Sequence, residues 1–385
     1  MSVIIVGGGV IGCAAAFFLA RDHGVRAVVL ERDPAYRRAS SALSASSIRQ
    51  QFSTPINILL SQASFDFYRR LPTELEVDGE RPDIGLVERG YLYLASPAGM
   101  ATLRANQAVQ KAHGAAVLLL DADGLAHRFP WLAVDGLAGG ALGMAGEGWF
   151  DGYSVLQAFR RKAIGLGVSF VPADAVRIER HGGRIDVHCG DGIERSADAL
   201  LLAAGAWSAP LAAQCGFDLP VRARKRDVFV VSAPARLADC PLVIDPAGVW
   251  FRPEGRGFIC GAPPRGADPD DAPLDAIDYG LFDEVIWPRL AARVPAFEAL
   301  RMERAWAGYY EYNTFDQNGI VGRLPSAQNV FVATGFSGHG IQQAPAVGRG
   351  IAELIATGAY RALDLAPLAP DRIARGMPLI ERNVI

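Results

Sequence analysis

The sequence predicts an α/β fold: a Rossmann-like parallel-sheet domain interleaved along the chain with an antiparallel-sheet α+β domain. Three observations carry this. An apolar strand, a glycine turn, a helix and a second strand follow one another within residues 1–32. Runs that read as buried strands and end in small residues recur at 198–203 and 329–333. The stretches between them read as short strands with turn signals rather than as βα repeats.

Residues 3–6 are β-branched and apolar, which suits a strand. Gly7, Gly9 and Gly12 follow in a Gly-x-Gly-x-x-Gly pattern, and residues 13–20 read as helix. A second apolar run at 27–30 ends at Glu31. Strand, glycine turn, helix, strand and acid together form the dinucleotide-binding fingerprint. Gly7 permits the tight turn, Gly9 lets the backbone approach a pyrophosphate, and Gly12 lets the helix pack on the strand. Val10 and Ile11 open the helix, whose free N–H groups and partial positive charge suit phosphate. Glu31 is placed to accept hydrogen bonds from a ribose.

Residues 33–53, rich in Arg, Ser and Ala, read as a loop. Helical periodicity starts at Pro55 and runs to Leu71, and Pro72 is expected to end it. A strand at 91–95, a helix at 98–113 and a small-residue strand at 137–148 follow. A helix at 153–166 has Asp151 or Ser154 as its cap. Residues 168–179 and 184–189 read as a β-meander. From Val221 the texture changes, with strands at 227–232, 249–252 and 258–261. A Pro/Asp-rich loop at 262–273, a helix at 277–293 and a strand near 303–312 complete this part. The strand at 329–333 then enters a second glycine-rich loop, and a helix covers 344–357. The expected division is a discontinuous cofactor-binding domain (1–80, 150–220 and 325–385) and a substrate-binding domain (81–149 and 221–324).

Composition narrows the function. The formal net charge of −3 gives no basic footprint for nucleic acid. Lysine occurs only at Lys111, Lys162 and Lys225, which restricts the choice of a catalytic amine. The five cysteines are scattered without CxxC or metal-ligand spacing, so no metal site and a reducing compartment are expected. Met1-Ser2 leads straight into the first strand, which reads as no signal peptide, and no stretch is apolar enough to span a bilayer. The expected location is cytoplasmic.

Three separated motifs resemble the D-amino acid oxidase family of FAD enzymes, which includes sarcosine oxidase, glycine oxidase and D-amino acid dehydrogenases. They are the first glycine turn with Glu31-Arg32, the segment Ala203-Ala204-Gly205-Ala206-Trp207-Ser208, and Gly335-Phe336-Ser337-Gly338-His339-Gly340-Ile341. Trp306-Ala307-Gly308 is also typical, and the resemblance covers essentially the whole chain. Residues 47–52 and 310–319 resemble a narrower branch that includes a mitochondrial assembly factor for respiratory complex I. The resemblance implies a glutathione-reductase-type cofactor domain and bound FAD. Members that attach flavin covalently use a histidine in the early loop or a late cysteine. Here the loop has no histidine and the late position falls near Tyr309, so the implied FAD is non-covalent.

The same resemblance assigns the site residues. Arg32 lies near adenine or ribose, or is solvated at a strand end. Ser40, Ser46, Ser47 and Ile48 belong to a loop that passes the flavin diphosphate and ring. Val176 matches a position whose backbone meets adenine. Ala204, Gly205 and Trp207, and Gly335, Gly338, Gly340 and Ile341, lie where buried strands end, which is where such sheets bind ligands. Backbone N–H groups near Gly338 and Gly340 suit the flavin C2 carbonyl oxygen. His339 has two readings: a contact with flavin or substrate, or a helix cap.

Glycine oxidase-like proteins bind a substrate carboxylate through an arginine shortly after Trp-Ala-Gly, but Tyr310 stands there. Arg49, Arg226 and Arg252 are the substitutes, since arginine binds carboxylates through a bidentate fork. Trp250, Tyr309, Tyr310 and Tyr312 form a candidate aromatic wall. Sarcosine oxidase-like members keep a lysine over the flavin to activate oxygen. The matching strand at 257–261 has none, which favours a dehydrogenase. The expected activity is FAD-dependent oxidation of an amino acid or secondary amine to an imine, with oxygen, a quinone or a carrier protein as electron acceptor. Two alternatives are a 2-hydroxyacid or polyol dehydrogenase, for which His339 is the candidate base, and a flavin-bearing assembly factor or binding module.

Overall fold

The computed structural model describes residues 1–382. A six-stranded sheet has the order Ile320–Leu324, Ala327–Thr334, Ala199–Leu202, Ser2–Val6, Arg26–Glu31, Ser169–Pro172. The last five run parallel, and the edge strand Ile320–Leu324 is antiparallel. The two-residue period of Ser2–Val6 builds the layers. Val3 and Ile5 join the core under the helices, while Ile4 and Val6 join the core on the opposite face. Helices Val10–His23, Gly152–Gly165 and Gly340–Thr357 cover the first face. A three-stranded meander, Ala175–His181, Arg184–Cys189 and Glu194–Ala197, covers the second.

Helices Val10–His23 and Gly340–Thr357 pack closely because small residues meet at their crossing. A Cβ on Gly348 would lie 2.6 Å from the Ala14 Cβ. Pro345, inside Gly340–Thr357, cannot donate to the Ile341 carbonyl four residues back. The Tyr68 hydroxyl donates to that carbonyl instead. Tyr68 lies on helix Pro55–Glu74, so one hydrogen bond both repairs the proline defect and docks that helix.

The second sheet has eight strands, in the order Arg301–Asn313, Val221–Ser232, Gly257–Gly261, Trp250–Glu254, Leu242–Ile244, Tyr91–Ala95, Gly139–Gly143, Val117–Asp121. All its pairs are antiparallel except Leu242–Ile244 with Tyr91–Ala95. The long ribbon of Val221–Ser232 and Arg301–Asn313 sets Arg226 opposite Gly308 and Arg224 opposite Tyr310.

Several elements differ from the sequence reading. The run 168–179 is two strands: Ser169–Pro172 closes the parallel sheet and Ala175–His181 opens the meander. Pro172 has no N–H to continue the ladder. Helix Pro55–Glu74 passes through Pro72, whose missing donor falls in the last turn, where few bonds remain to lose. The helix expected at 277–293 is broken into Tyr279–Leu281, a π-helical turn Phe282–Ile286 and Trp287–Arg293. Pro288, near the start of the last piece, cannot donate back along the helix. Residues 137–148 split into Gly139–Gly143 and a short pair between Gly148–Trp149 and Ser47–Ile48. All five cysteines are free and buried. Among the described residues, no helix is long and apolar enough to cross a membrane, and no group of His, Cys, Asp or Glu could hold a metal ion.

Candidate active site

A cavity of about 1200 Å³ opens where the parallel strands end, lined by Val6, Leu30, Ala203 and Ala333. That is the ligand edge of an open α/β sheet. Gly7 carries φ +103°, and a Cβ there would lie 2.3 Å from the Ala203 carbonyl oxygen, so only glycine turns the chain at this point. A Cβ on Gly12 would lie 1.9 Å from the Gly7 oxygen, so only glycine at this position lets the first helical turn pack on the glycine turn. Gly9 differs: its φ is −64°, and an added Cβ would meet only the Ser41 hydroxyl, at 3.6 Å. The side-chain volume that Gly9 lacks is therefore left to the cavity.

Glu31 holds this turn. Its Oε2 accepts from the Gly8 N–H and its Oε1 from the Asp33 N–H, both at 2.8 Å. Each oxygen keeps a lone pair for a further donor. Burial lifts this carboxyl above its usual range, and the two backbone donors counteract part of that. Val10, Ile11, Arg32, Ser40, Ser46, Ser47 and Val176 also line the cavity. The Arg32 guanidinium lies over the Trp207 ring at 4.0 Å, so stacking holds it at the strand end.

The loop at 39–47 is drawn against the second sheet. Trp306 Nε1 donates to the Leu43 carbonyl at 2.9 Å, and a Cβ on Gly308 would lie 2.9 Å from the Leu43 Cβ. Ala204, Gly205, Trp207, Gly338, Gly340 and Ile341 all face the cavity. Gly338 has φ +95°, and a Cβ there would enter the Tyr310 ring at 2.6 Å. Tyr310, Tyr312, Tyr309 and Trp250 line the same space, as does Arg226.

Six residues singled out from the sequence are not on the cavity wall: Gly12, Ile48, Arg49, Arg252, Gly335 and His339. Gly12 and Ile48 pack in the interior. Arg49 is 2 % exposed, and its Nη1 donates to the Gln51 carbonyl at 2.7 Å. Its Nη2 lies 3.1 Å from His339 Nε2. A guanidinium only donates, so Nε2 is the acceptor and the His339 proton sits on Nδ1. Burial, then the Arg49 charge, lowers His339 to about 3 and keeps it neutral. His339 makes no side-chain cap to the following helix. Arg252 is buried and donates to Glu254 and to the Pro253 and Ala45 carbonyls.

The residue-level reading missed Glu311. It lines the cavity, and its Oε2 accepts from Thr334 Oγ1 at 2.8 Å and the Gly335 N–H at 3.2 Å. Burial raises it to about 7. Its neighbours explain the motif at 310–319. The Asn313 N–H donates to the Ser337 hydroxyl, Asn313 Nδ2 donates to Asp316, and Arg372 grips Asp316 at 2.7 and 3.0 Å. These polar residues pin the second glycine loop from below. Glu147, which is fully buried, is a second carboxyl raised to about 7, surrounded by N–H donors from Gln50, Gln51 and Tyr91. Arg38 was also missed. It lies 5.8 Å over both the Trp207 and Tyr309 rings.

These carboxyls predict a pH effect. The folded-state pKa of Glu311 is raised above its unfolded value, so folded protein holds the proton between about 4.5 and about 7. Its contribution to stability is complete below that window and is lost as pH rises through it. A shift of this size corresponds to roughly 3 kcal/mol. Urea unfolding of flavin-stripped protein at pH 5 and pH 8 should show a smaller loss for Glu311→Gln than for wild type. Equal losses would contradict a raised pKa at this position.

A glycine turn at a helix N-terminus, an acid on the next strand and a second glycine loop at the last parallel strand define a dinucleotide-binding α/β protein with a second sheet over the cofactor edge. The chain matches the FAD dependent oxidoreductase (DAO) family over residues 2–354, and it belongs to that family. It is 42 % identical to FAD-dependent oxidoreductase domain-containing protein 1 of Xenopus laevis, covering 100 % of this chain and 84 % of the relative. It is 29 % identical to glycine oxidase of Geobacillus kaustophilus, covering 96 % of each. The crystal structure of that glycine oxidase superposes with a TM-score of 0.83 over 95 % of this chain and 97 % of the other. L-proline dehydrogenase from P. horikoshii shares the fold, with a TM-score of 0.88 at 24 % identity, covering 98 % and 99 %.

The chain is thus an FAD-dependent oxidoreductase with amino acid and amine oxidase relatives. The cavity fits the cofactor. Gly9 leaves open space beside a helix N-terminus that has no acidic residue in its first turn and no side-chain cap. The volume exceeds the roughly 300–1,000 Å³ of ordinary ligand pockets, as a dinucleotide plus substrate requires.

Proposed function

We propose that this chain oxidises the C–N bond of an amino acid or secondary amine by hydride transfer to FAD, giving an imine that hydrolyses in water. The observation that supports this best is the convergence of Arg226, Tyr310, Tyr312 and Trp250 on the cavity that also contains Gly9 and Gly338. Bound flavin supplies the two-electron acceptor. The chain's residues supply binding and orientation. Arg226 takes a substrate carboxylate in its fork, and the aromatic side chains exclude water from the reacting carbon. Arg49 and Arg252 are the reserve candidates for the carboxylate.

We assign residues 1–80, 150–220 and 325–385 to cofactor binding and residues 81–149 and 221–324 to substrate binding. FAD is held non-covalently in this reading, because the early loop has no histidine and Tyr309 stands at the late attachment position. Strand Gly257–Gly261 has no lysine, which favours a dehydrogenase with a quinone or carrier protein as acceptor. The alcohol-oxidising alternative needs a base. His339, the residue considered for it, already spends Nε2 on Arg49.

Hydride release requires a neutral amine, so kcat/KM should rise with pH toward the substrate amine pKa. The test is a single-turnover product balance under anaerobic conditions. One carbonyl group and one free amino group should appear per flavin reduced, on two molecules for an acyclic substrate and on one for a cyclic amine. A carbonyl product with no accompanying ammonia or newly freed amine would sink the C–N reading.

A further inference from the structure

The charge of Arg226 already has a partner. Its Nη1 and Nη2 each donate to one oxygen of Asp268, both at 3.0 Å, in a bidentate fork. Asp268 belongs to the Pro/Asp-rich loop 262–273, which lies over the ribbon strand carrying Arg226. The pair is partly shielded: the side chains are 18 % and 27 % exposed. Arg226 lines the large cavity and also a smaller one of about 190 Å³, which Asp268 lines too. Arg226 therefore stands between the two spaces, with Asp268 on the side of the smaller one. On the cavity side, the Arg226 guanidinium lies 5.2 Å from the centre of the Tyr310 ring.

Asp268 is not what fastens this loop. Arg224 Nε pairs with Asp270 at 3.0 Å. The Asp271 N–H donates to the Ala223 carbonyl at 2.9 Å, and the Tyr309 hydroxyl donates to the Ala272 carbonyl at 2.8 Å. The loop stays anchored by these three contacts without the Asp268 carboxylate. The geometry Asp268 presents to Arg226 is the geometry a substrate carboxylate would present.

Resting on the amine-oxidation reading above, we propose that Asp268 is an internal stand-in for the substrate carboxylate. It occupies the Arg226 fork in the free enzyme and is exchanged for the carboxylate of an incoming amino acid. No bond is made or broken, and one carboxylate replaces another on the same five-donor cation. The exchange makes Asp268 a specificity-determining residue. It keeps Arg226 from standing as an unpaired charge beside Tyr310, and it gives a ligand without a carboxylate nothing to gain at this position. It also weakens carboxylate binding by the fraction of time the fork is occupied.

The test uses FAD-loaded protein and four probes: acetate, benzoate, acetamide and benzamide. Each is titrated while the visible spectrum of the bound flavin is followed. Asp268→Asn keeps size but removes the competing charge, and Asp268→Ala is the second variant. Retained FAD content shows that a variant is folded. The expected result is about five- to tenfold tighter binding of the carboxylates in both variants, with the amides unchanged. Arg226→Met should abolish the preference for acid over amide in either background. An unchanged or weaker carboxylate Kd, an equal change for acids and amides, or no carboxylate binding in any form would overturn the proposal. The two readings fail separately. Flavin reduction by a plain amine without carboxylate binding sinks only the exchange. The expected probe pattern without reduction by any amine sinks only the C–N chemistry.

Discussion

Gly9→Val should give a folded protein that holds no FAD. The backbone at Gly9 has φ −64° and ψ −179°, which any residue adopts. An added Cβ meets only the Ser41 hydroxyl at 3.6 Å, so the first side-chain atom strains nothing in the chain itself. Its methyl groups instead fill the space beside the helix N-terminus where a pyrophosphate must approach. The expected loss is at least about 100-fold in FAD affinity, since the phosphate contacts and the space for them go together. The melting transition of the flavin-free protein should be nearly unchanged. Gly7 and Gly12 offer no such separation. A side chain at either collides with backbone oxygen, at 2.3 and 1.9 Å, and would disturb the fold before it tested the site. Normal FAD content in Gly9→Val would move the cofactor site away from this turn.

Arg226→Met should lower kcat/KM for a carboxylated amine by about 30-fold or more. Losing a charged hydrogen-bond partner in a binding site typically costs roughly 2–5 kcal/mol. The FAD spectrum should persist, because Arg226 lies on the ribbon strand and not on the Gly9 turn. The discriminating measurement compares the acid with its uncharged amide. Wild type should prefer the acid, and Arg226→Met should not. Arg49→Met should behave differently. Arg49 is 2 % exposed and braced by the Gln51 carbonyl and His339, so its loss should act first on stability. Preserved acid preference in Arg226→Met would shift the anchor to Arg49 or Arg252.

Much of the cofactor edge was legible because it depends on backbone geometry. Gly7, Gly9, Gly12 and Glu31 lie close in sequence, and their spacing dictates the turn they make. The same holds for Gly338 and Gly340. The substrate edge was less legible because its contacts join distant segments. Nothing near Arg226 in sequence announces that Asp268, on another loop, fills its fork. Glu311 was overlooked for a related reason. Between two tyrosines on a strand it reads as an exposed charge, and only the arrival of Thr334 and Gly335 shields it from solvent in part. His339 carried a motif and so drew attention, yet Arg49, far away in sequence, takes its Nε2. Strand breaks at Pro172 and the π-turn before Pro288 depend on where the ladder or helix could no longer donate.

The most direct measurement is anaerobic titration of the FAD-loaded protein with a panel of amino acids, N-methyl amines and hydroxyacids, following the visible flavin absorbance. Bleaching by at least one amino acid or secondary amine, and by none of the hydroxyacids, is the expected result. Bleaching by a hydroxyacid alone, or by no member of the panel, would contradict oxidation of a C–N bond by this chain.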